Sequence, residues 1–526
     1  MTVDIDNIPM NDPEVWKLFE DGRTKGIFQL ESNLGRSWSK KVKPKNMEEL
    51  AALISILRPG SLKAMYQGKS MSQHYVDRKH GLEEVEYLHE SLIDILAPTY
   101  GVLIYQEQAM RIAQKLAGFS ESEADILRKA IGKKKADLMA EVKKDFLKGC
   151  IKMQIVTEQE ADEIFGWIEK SSRYSFNKSH AVAYGKDSYW SAYFKAHYVK
   201  EFFVAYFRYA KDKQDAHQEV YELASEAKLF DLKLKTPNIS NFKRRFHCIG
   251  DTIYFGIKDI KSLTGKSGDK AHDAAKGMLK DLNKKIENTY WMEVLLYFSP
   301  KVNSTVFKTL ASIGFFRGIK DKITRNKALY DYEIFRILTK AETKWVLDNY
   351  PKKRWKTLED CLADLAPTKK EGGGTSKEQR KQIILNEIKM LKNPPYDLDD
   401  DPEWIIDQEV KFLGCPVSMS KIEAVDANGN TTCKEIADGK KGKNLSIAAN
   451  ITRVANFRIK KDGPNKGKDM SFLTIEDETC SLDSVVIFPD SREANKYSLF
   501  EGNNVILYGS SEKGDGGFVV EKISDI

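Results

Sequence analysis

Two short runs hold the groups that could handle phosphates and bases. In LRKAIGKKK (127–135), Arg128, Lys129, Lys133, Lys134 and Lys135 surround Gly132. The glycine permits a turn or a close approach of backbone to ligand, and the cations could meet the α, β and γ phosphates of a nucleotide or successive phosphates of a strand. By itself such a run is as readily a solvated surface. In RYSFNKSH (173–180), Arg173, Tyr174, Phe176, Asn177, Lys178, Ser179 and His180 bring aromatic, amide, cation and imidazole groups together. The rings could contact a templating base, and Lys178 or His180 could neutralise a leaving phosphate. A histidine at a helix start equally serves as a core or capping residue.

Nucleotidyl transfer also needs paired Mg²⁺ ions held by carboxylates a few Å apart on rigid strands, because charge develops on both the attacking and the leaving oxygen. The sequence offers no convincing set. Asp4 and Asp6 have DxD spacing but run into Ile8 and Pro9 rather than a strand. Asp397, Asp399, Asp400 and Asp401 follow Pro394 and Pro395, and read as a cap for a helix beginning near Pro402 or as a solvated linker.

The elements that position these groups change along the chain. Residues 1–215 read as mostly helical, with apolar-periodic runs such as MEELAALISIL, EQAMRIAQKLAGF and EADEIFGWIEKS separated by RPGS, APTYG and SSRYSFN turns. Ser120, with Glu123 three residues later, forms a capping-box pattern ahead of the helix that delivers Arg128 and Lys129. Residues 186–230 are aromatic-rich helix with a large core face. From about residue 231, short β-like runs give way to TGKSGDKAHDAAKGML, a glycine turn before a helix, and to a second helix-turn-helix candidate in STVFKTLASIGFFRGIKDKITRNKAL. Such units can present helix-start amides to phosphates, or be ordinary α+β packing. The stretch 364–395 combines a GGG hinge, a polar helix and a double proline, and reads as a linker.

The last 80 or so residues alternate apolar and polar in short runs joined by Gly, Asn and Asp, as hairpins would. Five short strands, with a helix-like REANKYSLF between the third and fourth, match an OB barrel. Arg453, Phe457, Arg458, Lys460 and Lys461 would then offer charge and stacking to single-stranded nucleic acid; the plainer reading is a small barrel packed on its neighbour.

At 526 residues, the usual domain size gives a prior of about three or four domains. The 84 Lys and Arg against 77 Asp and Glu leave +7, which permits a polyanionic partner without demanding one. Six scattered cysteines with no CxxC pair argue against a zinc knuckle or disulfide scaffold and fit a reducing compartment. Neither a signal-peptide pattern at the start nor an uncharged stretch of about 20 apolar residues occurs, so a cytoplasmic location without membrane association is expected.

The series FQLES (28–32), LRPGS (57–61), YVDRKHG (75–81), PTYGVLIYQEQ (98–108), LRKAIGKKK (127–135), FNKSHAVAY (176–184) and KAHYVKEFF (195–203) resembles, in order and spacing, the C-terminal part of the bacterial replicative DNA polymerase III alpha subunit. The likeness continues more faintly over 241–345, where that family has helix-hairpin-helix DNA-binding elements, and KFLGCPVS (411–418) resembles the stretch before its OB domain. The implied fold is multidomain: a mainly α-helical fingers region over 1–240, a helix-hairpin-helix region over 241–345, a linker with small connecting elements over 346–445, and a C-terminal OB-fold β-barrel over 446–526.

On this resemblance the positions facing an incoming triphosphate are Arg128, Lys129, Lys133 and Lys134, Lys129 standing where the family has a second arginine and so losing one bidentate fork. Arg58, Tyr105, Phe176, Asn177, Lys178 and His180 would support the active site. Lys135, Gly265, Gly268, Arg453, Phe457, Arg458, Lys460 and Lys461 would contact DNA, the first hairpin's glycines being only partly kept. The family's palm, with three metal-binding aspartates, lies upstream of FQLES, and this chain begins just before that motif. The expectation is a split polymerase of the kind a large phage genome could encode, active with primer-template DNA and dNTP only alongside a palm-bearing subunit that holds the Mg²⁺. Residues 345–405 show no clear clamp-binding peptide, which leaves a sliding clamp open as a partner. The alternatives are a non-catalytic DNA-binding replication scaffold and a Mg²⁺-dependent nucleic-acid processing enzyme built on Asp397, Asp399 and Asp400.

Overall fold

The computed structural model describes residues 3–133, 136–171, 174–460, 463–512 and 516–526, without the side chains of 132, 133 and 136. Lys134, Lys135, Arg173 and Lys461, and the side chain of Lys133, thus lie outside the described residues. The chain divides into two compact units, Met1–Phe202 and Phe203–Ile526.

The first unit is helical, as its periodicities imply. Helix Met47–Ile56 starts at Asn46, whose side chain accepts the Glu49 amide at 3.0 Å. Residues Leu50 to Ile56 of this helix are all buried, which marks it as a central element against which helix Lys178–His197 packs. Helix Glu121–Lys133 begins with the reciprocal cap read from the sequence: the Ser120 amide donates to Glu123 at 2.8 Å and the Glu123 amide to Ser120 Oγ at 3.3 Å. Leu116, Phe119, Leu127, Phe146, Ile164 and Phe165 form one buried cluster beneath it. Each such side chain contributes roughly 1.5–3 kcal/mol by leaving water, and a Phe146→Ala cavity would cost roughly 3–5 kcal/mol.

A short hairpin, β1 (Met65–Tyr66) paired antiparallel with β2 (Lys69–Ser70), projects from this unit. Its base is tied by Glu83, which meets His74 Nδ1 at 2.7 Å, Arg78 Nε at 2.8 Å and Lys69 Nζ at 3.2 Å. His74 Nε2 in turn lies 2.8 Å from the Tyr66 carbonyl.

In the second unit, helix Ala216–Lys228 precedes β3 (Lys233–Lys235), β4 (His247–Ile249) and β5 (Thr252–Tyr254), which lie in the order β3-β5-β4, parallel at β3/β5 and antiparallel at β4/β5. Helices follow at Lys266–Leu282, Trp291–Tyr297, Ser304–Ser312 and Arg325–Phe335. The start of the last is locked by a buried ion pair. Arg325 reaches Glu409 at 2.7 Å with side-chain exposures of 1% and 0%, and donates to the Ser312 carbonyl at 2.9 Å. The second Glu409 oxygen accepts the Val417 and Ser418 amides at 2.7 Å each.

The Gly372–Gly374 run, expected as a hinge, is a turn closely packed at its last two glycines. A Cβ on Gly373 would lie 1.9 Å from the Pro367 carbonyl oxygen, and one on Gly374 would strike Trp345. Gly372 takes φ +89° with open space about it, so glycine serves conformation at the first position and contact at the next two, uses that composition alone does not distinguish from a linker.

The C-terminal region is a closed five-stranded barrel that differs from the expectation in the length of its first strand and in carrying a parallel pair. Its strands are β6 (Gly442–Arg458), β7 (Asp469–Glu476), β8 (Ser481–Ile487), β9 (Asn504–Ser511) and β10 (Phe518–Asp525). They close into a barrel of mixed direction in the order β10-β8-β7-β6-β9: β10 runs parallel to β8, whereas the β6/β7, β7/β8, β6/β9 and β9/β10 pairs are antiparallel. The first strand is 17 residues long rather than short, and helix Pro489–Ala494 lies between the third and fourth strands, β8 and β9, where a helix-like segment was expected. Alternating polarity tells which residues face inward, not which strand lies alongside, and a parallel pair always needs a crossover. The fold is therefore mainly α-helical with a C-terminal mixed β-sheet that closes into a barrel. Its core holds Ile447, Ile451, Leu473, Val485, Leu507 and Phe518.

Candidate nucleotide and nucleic-acid interface

Tyr105 and Phe176, far apart in sequence, pair through their backbones: the Gln106 amide donates to the Phe176 carbonyl at 2.9 Å and the Phe176 amide to the Ile104 carbonyl at 2.8 Å. Gln108 fixes the Tyr105 side of this bridge, its side-chain oxygen accepting the Ile104 and Tyr105 amides at 3.0 Å each. Asn177 caps helix Lys178–His197 by accepting the His180 amide at 2.8 Å. Glu107 clasps that cap, taking Asn177 Nδ2 on one oxygen and the Lys178 amide on the other, both at 2.9 Å. An anionic side chain at a helix start is favoured by the helix dipole as well.

This scaffold gathers a contiguous row of one cation and four rings. The Arg58 guanidinium lies 3.6 Å from the Phe176 ring centre, Phe176 meets His180 edge-on at 5.4 Å, His180 meets Tyr184 at 4.1 Å, and Tyr184 meets Phe28 at 5.1 Å. His180 and Tyr184 are one helical turn apart on the same face. Arg58 and His180 are exposed and Phe28 is 40% exposed, so the row offers flat surface to solvent. Partial burial pulls the Arg58 guanidinium below its ordinary value. Lys178 pairs with Glu48 at 2.6 Å and sits 5.5 Å from the buried Tyr105 ring. Burial, and then the Glu48 charge, push the Tyr105 phenol well up.

The structure thus brings Arg58, Tyr105, Phe176, Asn177, Lys178 and His180 together. Arg128 and Lys129 form their own group: Arg128 meets Asp125 Oδ1 and Lys129 meets Asp125 Oδ2, each at 2.8 Å. Both cations hold the Asp125 carboxyl below its ordinary value, Lys129 more than Arg128. Sequence reading passed over Asp125, Glu107 and Phe28; the i,i+3 and i,i+4 spacing of Asp125 to the two cations was the available signal for the first.

In the second unit, Gly265 begins helix Lys266–Leu282 with φ +69°, and a Cβ on Gly268 would lie 2.1 Å from the Leu263 carbonyl oxygen. On the C-terminal sheet, Arg453, Phe457 and Lys460 are exposed, and Arg458 donates to the Gly467 carbonyl at 3.0 Å. Ala455 pairs with Phe472 and Phe457 with Met470. Phe472 therefore joins Phe457 on one face, the two being 43% and 50% exposed. The sequence reading missed Phe472, which lies on the next strand with no cation beside it.

The acidic run after Pro395 is engaged with backbone amides. Asp400 accepts the Arg325 amide at 2.6 Å, Asp401 accepts the Trp404 amide at 2.9 Å as the cap of helix Pro402–Leu413, and Asp397 accepts the Asp399 amide at 3.0 Å. Among the described residues no group of three or more His, Cys, Asp or Glu is placed to hold a metal ion, and no helix is long and apolar enough to cross a membrane.

Residues 1–154 match the family model of the bacterial DNA polymerase III alpha subunit finger domain. The chain is 35% identical over 506 residues to the DNA polymerase III subunit alpha of Aquifex aeolicus, covering 95% of this chain and 38% of that protein. Identity to the Pasteurella multocida subunit alpha is 40% over 290 residues, covering 53% of this chain and 24% of the relative. The Bacillus subtilis subunit alpha is 28% identical over 517 residues, 97% of this chain and 41% of that one. The chain thus spans less than half the length of these relatives. Through its finger-domain region the chain is homologous to the bacterial DNA polymerase III alpha subunit.

Proposed function

We propose that this chain is the fingers-bearing, DNA-binding component of a split replicative DNA polymerase, of the kind a large phage genome could encode. A palm-bearing partner supplies the Mg²⁺-dependent nucleotidyl transfer site. Arg128 and Lys129, with Lys133 and Lys134 beyond them, take the phosphates of the incoming dNTP, where cations offset the charge that spreads over the transferred phosphoryl group. The row of Arg58, Phe176 and His180 orients nucleotide and template base, since a guanidinium and rings present faces on which a base can stack. Lys135, the turn at Gly265 and Gly268, and the Arg453–Phe457 face with Arg458, Lys460 and Lys461 hold DNA.

The observation that carries this reading is the meeting of Arg58, Phe176 and His180 on one exposed surface, in a chain whose residues 1–154 match the finger domain. The test is primer extension on a primed template, with the purified chain alone and with it co-expressed with a palm-encoding protein. Extension only in the pair, lost on Arg128→Ala with Lys129→Ala, is expected. Synthesis by the chain alone would sink the split arrangement, and no extension in a verified complex would leave a DNA-binding scaffold.

A further inference from the structure

The two cations assigned to the triphosphate are not free in this structure. Asp125 bridges them, one oxygen to Arg128 and the other to Lys129, each at 2.8 Å. The three side chains are 36–53% exposed on one face of helix Glu121–Lys133. Two cations one residue apart would draw any polyanion, whereas a carboxylate set between them lowers the local potential. An incoming ligand must then supply enough negative charge to replace it.

We infer that Asp125 is a positioning residue that acts as a resident counter-ion. It holds Arg128 and Lys129 while the site is empty and is exchanged for the phosphates of a nucleoside triphosphate, which discriminates against weakly charged anions. The inference rests on the proposed phosphate role of Arg128 and Lys129 and adds to it the group that competes with the substrate. The exchange requires no proton transfer and no bond chemistry, only replacement of one set of charge-assisted hydrogen bonds by another.

The sign of the effect follows from electrostatics. Removing the carboxylate leaves the cations with no competing anion, so polyanions bind more tightly, by about three- to tenfold for a group at this exposure in dilute buffer. Because the term is Coulombic, the gain shrinks as salt shortens the screening length from about 10 Å to about 3 Å.

The test is titration of the full chain with inorganic tripolyphosphate and with dATP. It compares the natural protein, Asp125→Asn, Asp125→Ser, Asp125→Glu and the double variant Arg128→Ala with Lys129→Ala, at low and high salt. Expected are tighter binding by Asp125→Asn and Asp125→Ser at low salt, a gap that closes at high salt, natural affinity in Asp125→Glu, and loss of binding in the double variant. A merely structural Asp125 would shift the thermal midpoint and leave no salt-dependent gain. If the double variant loses binding but Asp125→Asn and Asp125→Ser bind no better than the natural chain, the counter-ion role is overturned and the phosphate site stands. Should the double variant bind as the natural chain does, or no protein bind either ligand, the phosphate site falls and the counter-ion role with it.

Discussion

Arg58 stacks on Phe176 at 3.6 Å although 117 residues separate them in the chain. The contact exists because each partner is held from behind. Arg58 sits at the N-cap of the short helix Pro59–Lys63, and Phe176 is fixed by the backbone bridge to Tyr105 and by the Glu107 clasp on Asn177 and Lys178. A guanidinium over a ring keeps its edge donors available, so the pair can stack and still present hydrogen bonds to a phosphate or base.

Replacing Phe176 by Leu keeps an apolar side chain and removes the ring face. The expected loss is about 0.5–1 kcal/mol of stability, the usual worth of an exposed cation–π pair, read as a lower urea midpoint. Phe176→Tyr retains the ring and should behave as the natural chain. Equal midpoints for the Leu and Tyr variants would show that the stack adds nothing to the fold.

The buried pair of Arg325 and Glu409 predicts a larger effect. Glu409→Ala leaves an uncompensated guanidinium in the interior and orphans the Val417 and Ser418 amides. Breaking one side of such a pair costs roughly 3–5 kcal/mol, whereas replacing both members by apolar residues of similar volume is far milder. Urea unfolding of Glu409→Ala, and of Arg325→Met with Glu409→Leu, would separate these. A single variant as stable as the double one would contradict the buried-charge account.

The pH dependence follows from Glu83. Burial would raise its carboxyl, but hydrogen bonds from His74, Arg78 and Lys69 outweigh that and hold it at about 2, against an ordinary 4.5. A carboxyl depressed in the folded state contributes stability that is fully present above its unfolded value and is lost as pH falls through the folded one. Stability should therefore drop across the window from pH 4.5 to 2, with a smaller drop over that window in Glu83→Gln. Urea midpoints measured in acid decide it, and parallel profiles for the two proteins would remove Glu83 from the account.

Local signals carried much of this architecture. Ser120 with Glu123, and Asp401 ahead of Pro402, are caps that a sequence states outright, because cap and capped amide lie within three residues. Strand positions in the last region were also legible from alternation. What was not legible depends on partners distant in sequence: the parallel β8/β10 pairing, the packing of Gly373 on Pro367, and the clasp of Glu107 across to Asn177. In the site, residue types marked Phe176, Lys178 and His180, whereas Asp125 and Phe472 escaped because each matters through what it neighbours.

The exposed face of Phe457 and Phe472 makes the last prediction. The strand register puts them on the same side of the β6/β7 pair, as diagonal neighbours about 7–8 Å apart, with Arg453 two residues along from Ala455. Bases of a single strand can stack on such rings at roughly 1–3 kcal/mol each, so Phe457→Ala with Phe472→Ala should weaken binding of a single-stranded oligonucleotide at least about tenfold. The salt slope should stay the same, because no phosphate contact is lost. Arg453→Ala should instead reduce that slope by about 1 and weaken all sequences alike. An oligonucleotide with abasic positions separates the two effects: if the natural chain binds it as tightly as the intact strand, stacking on this face is not part of the interaction and only the charge remains.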